Sequence, residues 1–120
     1  MTNNRVLICD DSRSIRLITK RLLQDNGYQV VGEASNGHEA TEAFIHHNPD
    51  LVLLDLVMPE TDGQTALRQI VEHNPSAKVV ILSSLGSESD VEECLRSGAS
   101  SYIQKPFEED ILLSTLNELQ

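Results

Sequence analysis

The sequence predicts an α/β fold in which helices cover both faces of a parallel β-sheet. Short apolar runs alternate with longer stretches of helical period along all 120 residues, which is the pattern of βαβ units. Because the short runs are apolar without alternation, both faces of the sheet are expected to be buried. No repeat or low-complexity tract interrupts the pattern, so one domain spanning residues 1–120 is predicted.

Five strands are predicted from apolar runs bounded by polar or turn residues. In chain order they are residues 6–9, 28–34, 51–54, 78–82 and 101–104. A helix is predicted after each strand, because apolar residues recur there at spacings of three and four. The apolar stripes are Ile15, Ile18 and Leu22; Ala40, Ala43 and Phe44; Leu67, Ile70 and Val71; Val91, Cys94 and Leu95; and Leu112, Leu116 and Leu119.

Glycine and proline mark the ends of four of these helices. The first helix ends at Asn26-Gly27 and the fourth at Gly98, because glycine readily adopts a left-handed C-cap. The second and third helices end before Pro49 and Pro75, because proline disfavours a helical conformation in the residue before it.

The charge balance and the cysteines restrict the class of protein. Nine Lys and Arg oppose nineteen Asp and Glu, and the net charge of -10 repels nucleic acids and anionic membranes. Cys9 and Cys94 lie in apolar patterns typical of buried free thiols, which fits a reducing compartment. The longest apolar runs have the length of a strand, so no signal peptide or spanning segment is expected. We therefore expect a cytoplasmic protein that neither binds nucleic acid directly nor inserts into membranes.

Four of the predicted strands run into polar side chains. The third ends on Asp55, although an unpaired buried charge is costly, and the others run into Asp10 and Asp11, Ser83, and Lys105. Parallel strands place their carboxyl ends on one edge of the sheet, where α/β proteins bind ligands, so these side chains are expected to converge. Taken singly, each has a simpler reading: a helix N-cap, an Asx turn, a turn hydroxyl or a solvated lysine.

Convergence of three acids predicts a cation. Three carboxylates in one cleft repel one another, so either a carboxyl pKa rises or a positive ion lies among them. Oxygen ligands suit Mg²⁺, which keeps several waters and bridges carboxylates to phosphate. A zinc site is not expected, because no Cys and His cluster has ligand spacing.

Four stretches at these strand ends resemble the receiver domains of response regulators in two-component signalling, in the order and spacing of that family. They are DD at 10–11, LLDLVMPETDG at 53–63, ILSS at 81–84 and GASSYIQKPF at 98–107. The resemblance covers essentially the whole chain and is of the single-domain, chemotaxis-regulator type. It implies a flavodoxin-like (βα)5 fold with strand order 2-1-3-4-5 and helices on both faces.

The resemblance also implies a role for each acid. Asp55 would accept a phosphoryl group from the phosphohistidine of a sensor histidine kinase or a phosphotransfer protein. Asp11 would bind Mg²⁺ directly and Asp10 mainly through water, while Asp55 and the backbone carbonyl of Val57 would complete the site. Positioning and charge neutralisation carry such a transfer, so we expect a signalling switch that is not an enzyme in its own right.

Other positions take their expected roles from the same resemblance. Lys105 would pair with the phosphoryl oxygens, and Ser83 would hydrogen-bond one of them. Ser83 and Tyr102 would form a two-state switch biased by the phosphoryl charge, although a fixed, half-buried tyrosine is the simpler reading. The Lys105-Pro106 bond would be cis, and Gly63 would occupy a turn that tolerates positive φ.

Two surfaces are expected to bind partners. A kinase would dock on the first helix at Ile15 or Ile18, at least one of which would instead belong to the core. The fourth helix, fifth strand and fifth helix would form the output face that signals to an effector protein or domain. Its acidic residues, which would either steer a basic partner or simply be solvated, are Glu88, Asp90, Glu92, Glu93, Glu108, Glu109 and Asp110.

Slow loss of the phosphoryl group is expected, because in this family the positions of Val57 and Leu85, both apolar here, border the path of the hydrolytic water. The same valine argues against a dehalogenase-type phosphatase, which needs a second acid at that position. A nucleotide-binding module would need a glycine-rich phosphate loop, which the sequence lacks. The remaining alternative is a phosphate-independent interaction module of receiver fold, whose signature would be loss of an acid or the lysine, and all are retained.

Overall fold

The computed structural model describes residues 4–58, 62–84 and 87–120, and within them strands and helices alternate. The strands are β1 (Arg5–Cys9), β2 (Gln29–Ala34), β3 (Leu51–Asp55), β4 (Lys78–Ser83) and β5 (Ser101–Gln104). The helices are α1 (Arg13–Asp25), α2 (Gly37–His47), α3 (Gly63–His73), α4 (Glu88–Arg96) and α5 (Glu109–Leu119). Every predicted element is confirmed, and the strand boundaries differ from the prediction by at most one residue. No helix in the described ranges is long and apolar enough to cross a membrane.

The strands form one parallel sheet in the order β2-β1-β3-β4-β5, as the family resemblance implied. Cys9 is in register with Leu54, and Asp55 with Leu82. Neighbouring strands therefore end almost level with one another, and their carboxyl ends form one continuous edge.

Each face of the sheet has its own apolar cluster, which confirms that both faces are buried. On one face Phe44, Leu67 and Cys94 from α2, α3 and α4 pack against β1, β3 and β4. On the other face Leu23 of α1 and Leu112 of α5 pack against the same central strands. The polar side chains that follow the strands gather at the carboxyl edge of the sheet, between these two layers.

The start of α1 differs from the simplest reading of its sequence. Ser12 is the N-cap, and its hydroxyl accepts a hydrogen bond from the Ile15 N–H at 3.3 Å. The reading of Asp10 or Asp11 as the cap is therefore wrong. Asp10 instead accepts the Ser12 N–H at 2.9 Å, which orients its carboxylate at the end of β1.

The stripe predicted for α1 is also wrong in part. The buried residues of α1 are Thr19 and Leu23, whereas Ile18 is 65% exposed and Ile15 is half-buried. Apolar residues occupy a wide arc of this helix, and the face that meets the sheet is centred on a threonine. Leu95 at the end of α4 is likewise exposed rather than part of the core.

Two of the three glycine predictions are confirmed. Gly27 and Gly98 have φ values of +86° and +109°, as helix C-caps require. Gly63 is not a positive-φ residue, contrary to expectation. It begins α3, and a Cβ atom there would lie 2.2 Å from the carbonyl oxygen of Asp55, so it is required for close backbone approach instead.

Both cysteines are free and buried, as predicted. Cys9 on β1 and Cys94 on α4 belong to the same apolar cluster. Burial raises the pKa of both thiols, and nearby acids raise it further. These side chains are therefore core residues without thiolate reactivity near neutral pH.

Candidate functional site

The carboxyl ends of four strands bring the predicted side chains to one edge of the sheet. Asp10 and Asp11 follow β1, while Asp55 and Ser83 are the last residues of β3 and β4. Lys105 follows β5, and its backbone N–H donates to the Ser83 carbonyl at 2.7 Å. The convergence inferred from the order of strands and polar residues is therefore observed.

Asp10, Asp11 and Asp55 form a compact cluster of carboxylates. One oxygen from each lies within 4.8 Å of the other two. Asp10 and Asp55 are only 4% and 7% exposed, whereas Asp11 lies at the surface. Because like charges at this distance repel strongly when they are shielded from water, the cluster needs positive charge.

Lys105 supplies positive charge to the cluster. Its Nζ donates to Asp10 Oδ2 at 2.6 Å and to Asp55 Oδ2 at 3.3 Å. Burial alone would lower the pKa of Lys105, but the two carboxylates outweigh it and the pKa is raised. The ammonium is therefore charged, and the cis peptide bond to Pro106, which was predicted, follows it directly.

Asp55 is held by donors on two sides. Its Oδ1 accepts the Val57 N–H at 3.1 Å, and its Oδ2 accepts from Lys105. Burial raises the pKa of Asp55; those two donors lower it and the Asp10 charge raises it, and the net direction is upward. The carboxylate is thus oriented and carries a charge that its surroundings compensate only in part.

Ser83 ends β4, and Tyr102 lies on the neighbouring strand β5. Ser83 is fully buried, and the half-buried Tyr102 packs against the apolar cluster of α2, α3 and α4. Burial raises the pKa of Tyr102, and a hydrogen bond with the Ser83 side chain opposes part of that rise. The two side chains predicted to act together are therefore in contact.

Val57 and Leu85 were expected to border the reacting position. The Val57 side chain is 52% exposed, two residues beyond Asp55 and beside the cleft. Leu85 lies outside the described residues.

An open groove of about 880 Å³ reaches this edge from the side of α1. Its walls include Ile15, Leu17 and Ile18 of α1, and it extends to Lys105 and Phe107. Exposed apolar side chains on α1 thus line a groove that extends to Lys105, which contacts Asp10 and Asp55.

One side chain at this edge was missed by the sequence reading. The Arg16 guanidinium donates to the Asp10 carbonyl at 2.6 Å and to Glu33 Oε1 at 3.1 Å. The available signal was an arginine near the start of a helix whose first turn carries no acid.

The family of the chain follows from comparison with known sequences. Residues 6–117 match the response regulator receiver domain, and the chain belongs to that family. It is a receiver domain of the phosphoacceptor class found in two-component systems. The carboxylate cluster and lysine described above lie within the matched range, so the phosphate-independent alternative is not favoured.

Within the family, the chain resembles single-domain chemotaxis proteins. It is 41% identical to the chemotaxis protein CheY of Bacillus subtilis and 38% identical to that of Thermotoga maritima. In both cases the match covers 96% of this chain and 96% of the relative.

Solved structures give the same result for the fold. The CheX-CheY-BeF3-Mg²⁺ complex from Borrelia burgdorferi matches with a TM-score of 0.90 and 35% identity, over 96% of this chain and 87% of the other. The response regulator domain of Thermotoga maritima CheB matches with a TM-score of 0.86 and 33% identity, over 96% and 92%. The flavodoxin-like architecture expected from the sequence is thereby confirmed.

Proposed function

We propose that Asp55 accepts a phosphoryl group from the phosphohistidine of a sensor histidine kinase or phosphotransfer protein. The observation that carries this proposal is the single cluster in which Asp10, Asp11 and Asp55 lie within 4.8 Å of one another, with Lys105 bonded to two of them. Such an arrangement is costly for stability alone, and it suits a reaction that brings in both a cation and phosphoryl oxygens.

The donor set fits Mg²⁺. Asp10, Asp11 and Asp55 would hold it, and the Val57 backbone carbonyl would complete the share of ligands contributed by the protein. All of these ligands are hard oxygen donors, and the exposure of Asp11 leaves room for the waters that Mg²⁺ retains. Bound Mg²⁺ would neutralise the carboxylates and compensate the charge on phosphoryl oxygens.

In the proposed transfer, a carboxylate oxygen of Asp55 attacks phosphorus in line with the leaving imidazole. A P–O bond to Asp55 forms as the P–N bond of the phosphohistidine breaks, and the electron pair leaves with the imidazole nitrogen. Lys105 pairs with the phosphoryl oxygens, and Ser83 donates a hydrogen bond to one of them. The chain thereby assists only its own modification, so it acts as a switch rather than as an enzyme with turnover.

The signal would leave through Ser83 and Tyr102. A phosphoryl group adds up to about two negative charges and new acceptor oxygens, which compete for the Ser83 hydroxyl that now contacts Tyr102. A change in that contact biases the tyrosine between two packings. Crystals with and without BeF3 and Mg²⁺ test this: the same Tyr102 rotamer in both would contradict the switch.

Two partner surfaces are proposed from the exposure and charge of their side chains. The groove beside α1, with Leu17 and Ile18 exposed and Lys105 at its end, is the proposed docking site of the kinase or phosphotransfer protein. The output face is proposed to be α4, β5 and α5, whose acids would steer a basic effector. Loss of effector affinity with rising salt concentration would support steering, and a salt-independent affinity would mean that these acids are merely solvated.

Residues 1–120 are proposed to form one receiver domain that works in the cytoplasm. Buried, unpaired Cys9 and Cys94 are compatible with that reducing compartment. No direct contact with nucleic acid is proposed, because the net charge of -10 opposes it.

Intact-mass measurement tests the acceptor directly. The protein is incubated with acetyl phosphate and Mg²⁺ beside Asp55→Asn, which removes the nucleophile but keeps the shape of the side chain. One added phosphoryl group on the parent protein alone, abolished by a chelator, is the expected result. An adduct of equal yield on Asp55→Asn would refute the assignment, and no adduct even with a cognate kinase would favour the phosphate-independent module.

A further inference from the structure

Arg16 connects three parts of the fold behind the carboxylate cluster. The residue is the fourth of α1, and its Nη1 donates to the backbone carbonyl of Asp10 at 2.6 Å. Its Nε donates at 3.1 Å to Glu33, which stands near the carboxyl end of β2. One guanidinium thus joins α1, the end of β1 and the end of β2.

The position is unfavourable for an arginine by local rules. The start of a helix is its positive end, and α1 has no acid in its first turn to compensate Arg16. The Arg16 side chain is only 16% exposed, so its charge is largely removed from water and needs fixed partners. Helix geometry tilts side chains toward the N-terminus, and the arginine therefore reaches back to the turn after β1.

The Asp10 carbonyl that Arg16 binds influences the orientation of the next residue, Asp11, as well. It belongs to the rigid peptide plane that joins Asp10 to Asp11, so fixing its oxygen limits rotation of that plane. On the other side, the Asp10 N–H donates to the Ala34 carbonyl of β2 at 3.0 Å. Asp11 is exposed, and its direction therefore depends on the backbone that Arg16 restrains.

We propose that Arg16 is a positioning residue, which with Glu33 fixes the turn that carries Asp10 and Asp11 and so holds both carboxylates ready for a divalent cation. The inference rests on the proposed Mg²⁺ site and extends it to a side chain that touches neither the cation nor the phosphoryl group. Its role is geometric, because its own charge opposes cation binding.

Charge and positioning predict opposite changes in Mg²⁺ affinity when Arg16 is replaced. If charge were all that mattered, removal of a positive side chain near the cluster would strengthen Mg²⁺ binding. If Arg16 positions the carboxylates, its removal weakens Mg²⁺ binding instead. Lys20 provides the matched control, because it lies on the same helix and pairs with the same Glu33 at 3.5 Å but does not contact Asp10.

Isothermal titration calorimetry with Mg²⁺ alone, on the unphosphorylated protein, measures the effect. Arg16→Met is expected to weaken Mg²⁺ affinity about tenfold, as loss of a group that orients a metal ligand does. Lys20→Met is expected to bind Mg²⁺ as tightly as the parent or more tightly. Arg16→Lys, which keeps the charge but cannot bridge both acceptors, is expected to lie between the parent and Arg16→Met.

Phosphorylation kinetics separate positioning from general damage. With acetyl phosphate, the Mg²⁺ concentration for half-maximal rate should rise in Arg16→Met, while the rate at saturating Mg²⁺ should recover because Asp55 and Lys105 are intact. A rate that stays low at saturating Mg²⁺ would overturn the positioning role. If Arg16→Met does not fold, as judged by circular dichroism, the folded Arg16→Lys variant decides by the same titration.

Failure of the positioning role of Arg16 can be told apart from failure of the proposed Mg²⁺ site. Mg²⁺ binding to Arg16→Met or to folded Arg16→Lys that is as tight as in the parent overturns the role of Arg16 and leaves the proposed metal site intact. A parent protein that binds no Mg²⁺ overturns both. Weaker binding in Arg16→Met and Lys20→Met alike would show a loss tied to Glu33 and the helix surface, and would also overturn the role.

Discussion

Replacing Asp55 with asparagine removes a buried charge while preserving the size of the side chain and its ability to accept the Val57 N–H. The carboxylate shares its surroundings with two other acids, and its pKa is raised chiefly by burial. A group whose charged form is disfavoured by folding destabilises the native state when it is ionised. We therefore expect Asp55→Asn to be more stable than the parent protein when no divalent cation is present.

The structure gives the size of the effect. Asp10 and Asp55 oxygens lie within 4.8 Å of each other, which at an effective dielectric constant of about 20 corresponds to a repulsion of at least about 3.5 kcal/mol. Lys105 at 3.3 Å attracts Asp55 by about 5 kcal/mol on the same scale. Repulsion from Asp11 reduces the difference further, and burial is the largest influence on the Asp55 carboxylate, so the desolvation of Asp55 decides the sign. We expect the free energy of unfolding to rise by about 1 to 2 kcal/mol at pH 7.

Urea unfolding followed by circular dichroism measures this difference, since the chain contains no Trp. Because the folded-state pKa of Asp55 lies above its ordinary value of 3.8, the advantage of Asp55→Asn is complete well above the folded pKa. It shrinks as pH falls through that pKa and vanishes below 3.8, where the parent is protonated in both states. Asp25→Asn, a change at an exposed acid, serves as the control for the loss of one negative charge. An Asp55→Asn protein that is less stable at pH 7 in chelator, or a difference that does not change with pH, would refute the reasoning.

Three further predictions concern the same edge and the core behind it. Val57→Asn, which replaces a half-exposed apolar side chain beside Asp55 with a polar one that can hold a water, should shorten the lifetime of the phosphorylated protein; an unchanged lifetime by intact mass would contradict this. Gly63→Ala should lower the free energy of unfolding by about 2 kcal/mol or more, because the new Cβ meets backbone atoms that cannot move aside; near-normal urea unfolding would show that α3 can shift. Cys9 and Cys94 should not react with a thiol reagent at pH 8 until urea unfolds the protein, and rapid labelling of the native state would show that the core opens locally.

The sequence was most informative where a local pattern and a topological rule agree. The strands were found from apolar runs, and their parallel arrangement from the alternation with helices, because each unit must bury its own faces. The convergence of Asp10, Asp55 and Lys105 followed from the same rule, since parallel strands end on one edge. Strand order did not follow from the pattern and came only with the family resemblance.

Contacts between distant residues left no comparable trace in the sequence. Hydropathy favoured Ile18 over Thr19 for the core, although the position of α1 on the sheet buries the threonine and exposes the isoleucine. The glycine at position 63 was read as a conformational requirement, whereas the crossing of α3 over the end of β3 makes it a steric one. Arg16 was missed because its partner is a backbone carbonyl, which any residue would provide.

Arg16 and Gly63, at which prediction from the local sequence failed, lie at the same edge of the sheet as the proposed phosphoryl-transfer site. A carboxylate cluster that Lys105 compensates only in part and an arginine near the positive end of α1 each oppose stability when considered alone. The Lys105 ammonium contacts the carboxylates directly, whereas the Arg16 guanidinium binds the backbone of the turn that carries Asp10 and Asp11. A fold selected only for stability would relieve these conflicts with neutral side chains, as the predicted gain for Asp55→Asn illustrates. Their concentration at one edge therefore argues that the edge is kept for what binds there, and the Mg²⁺ titration of the Arg16 variants examines how far that requirement extends beyond the acids themselves.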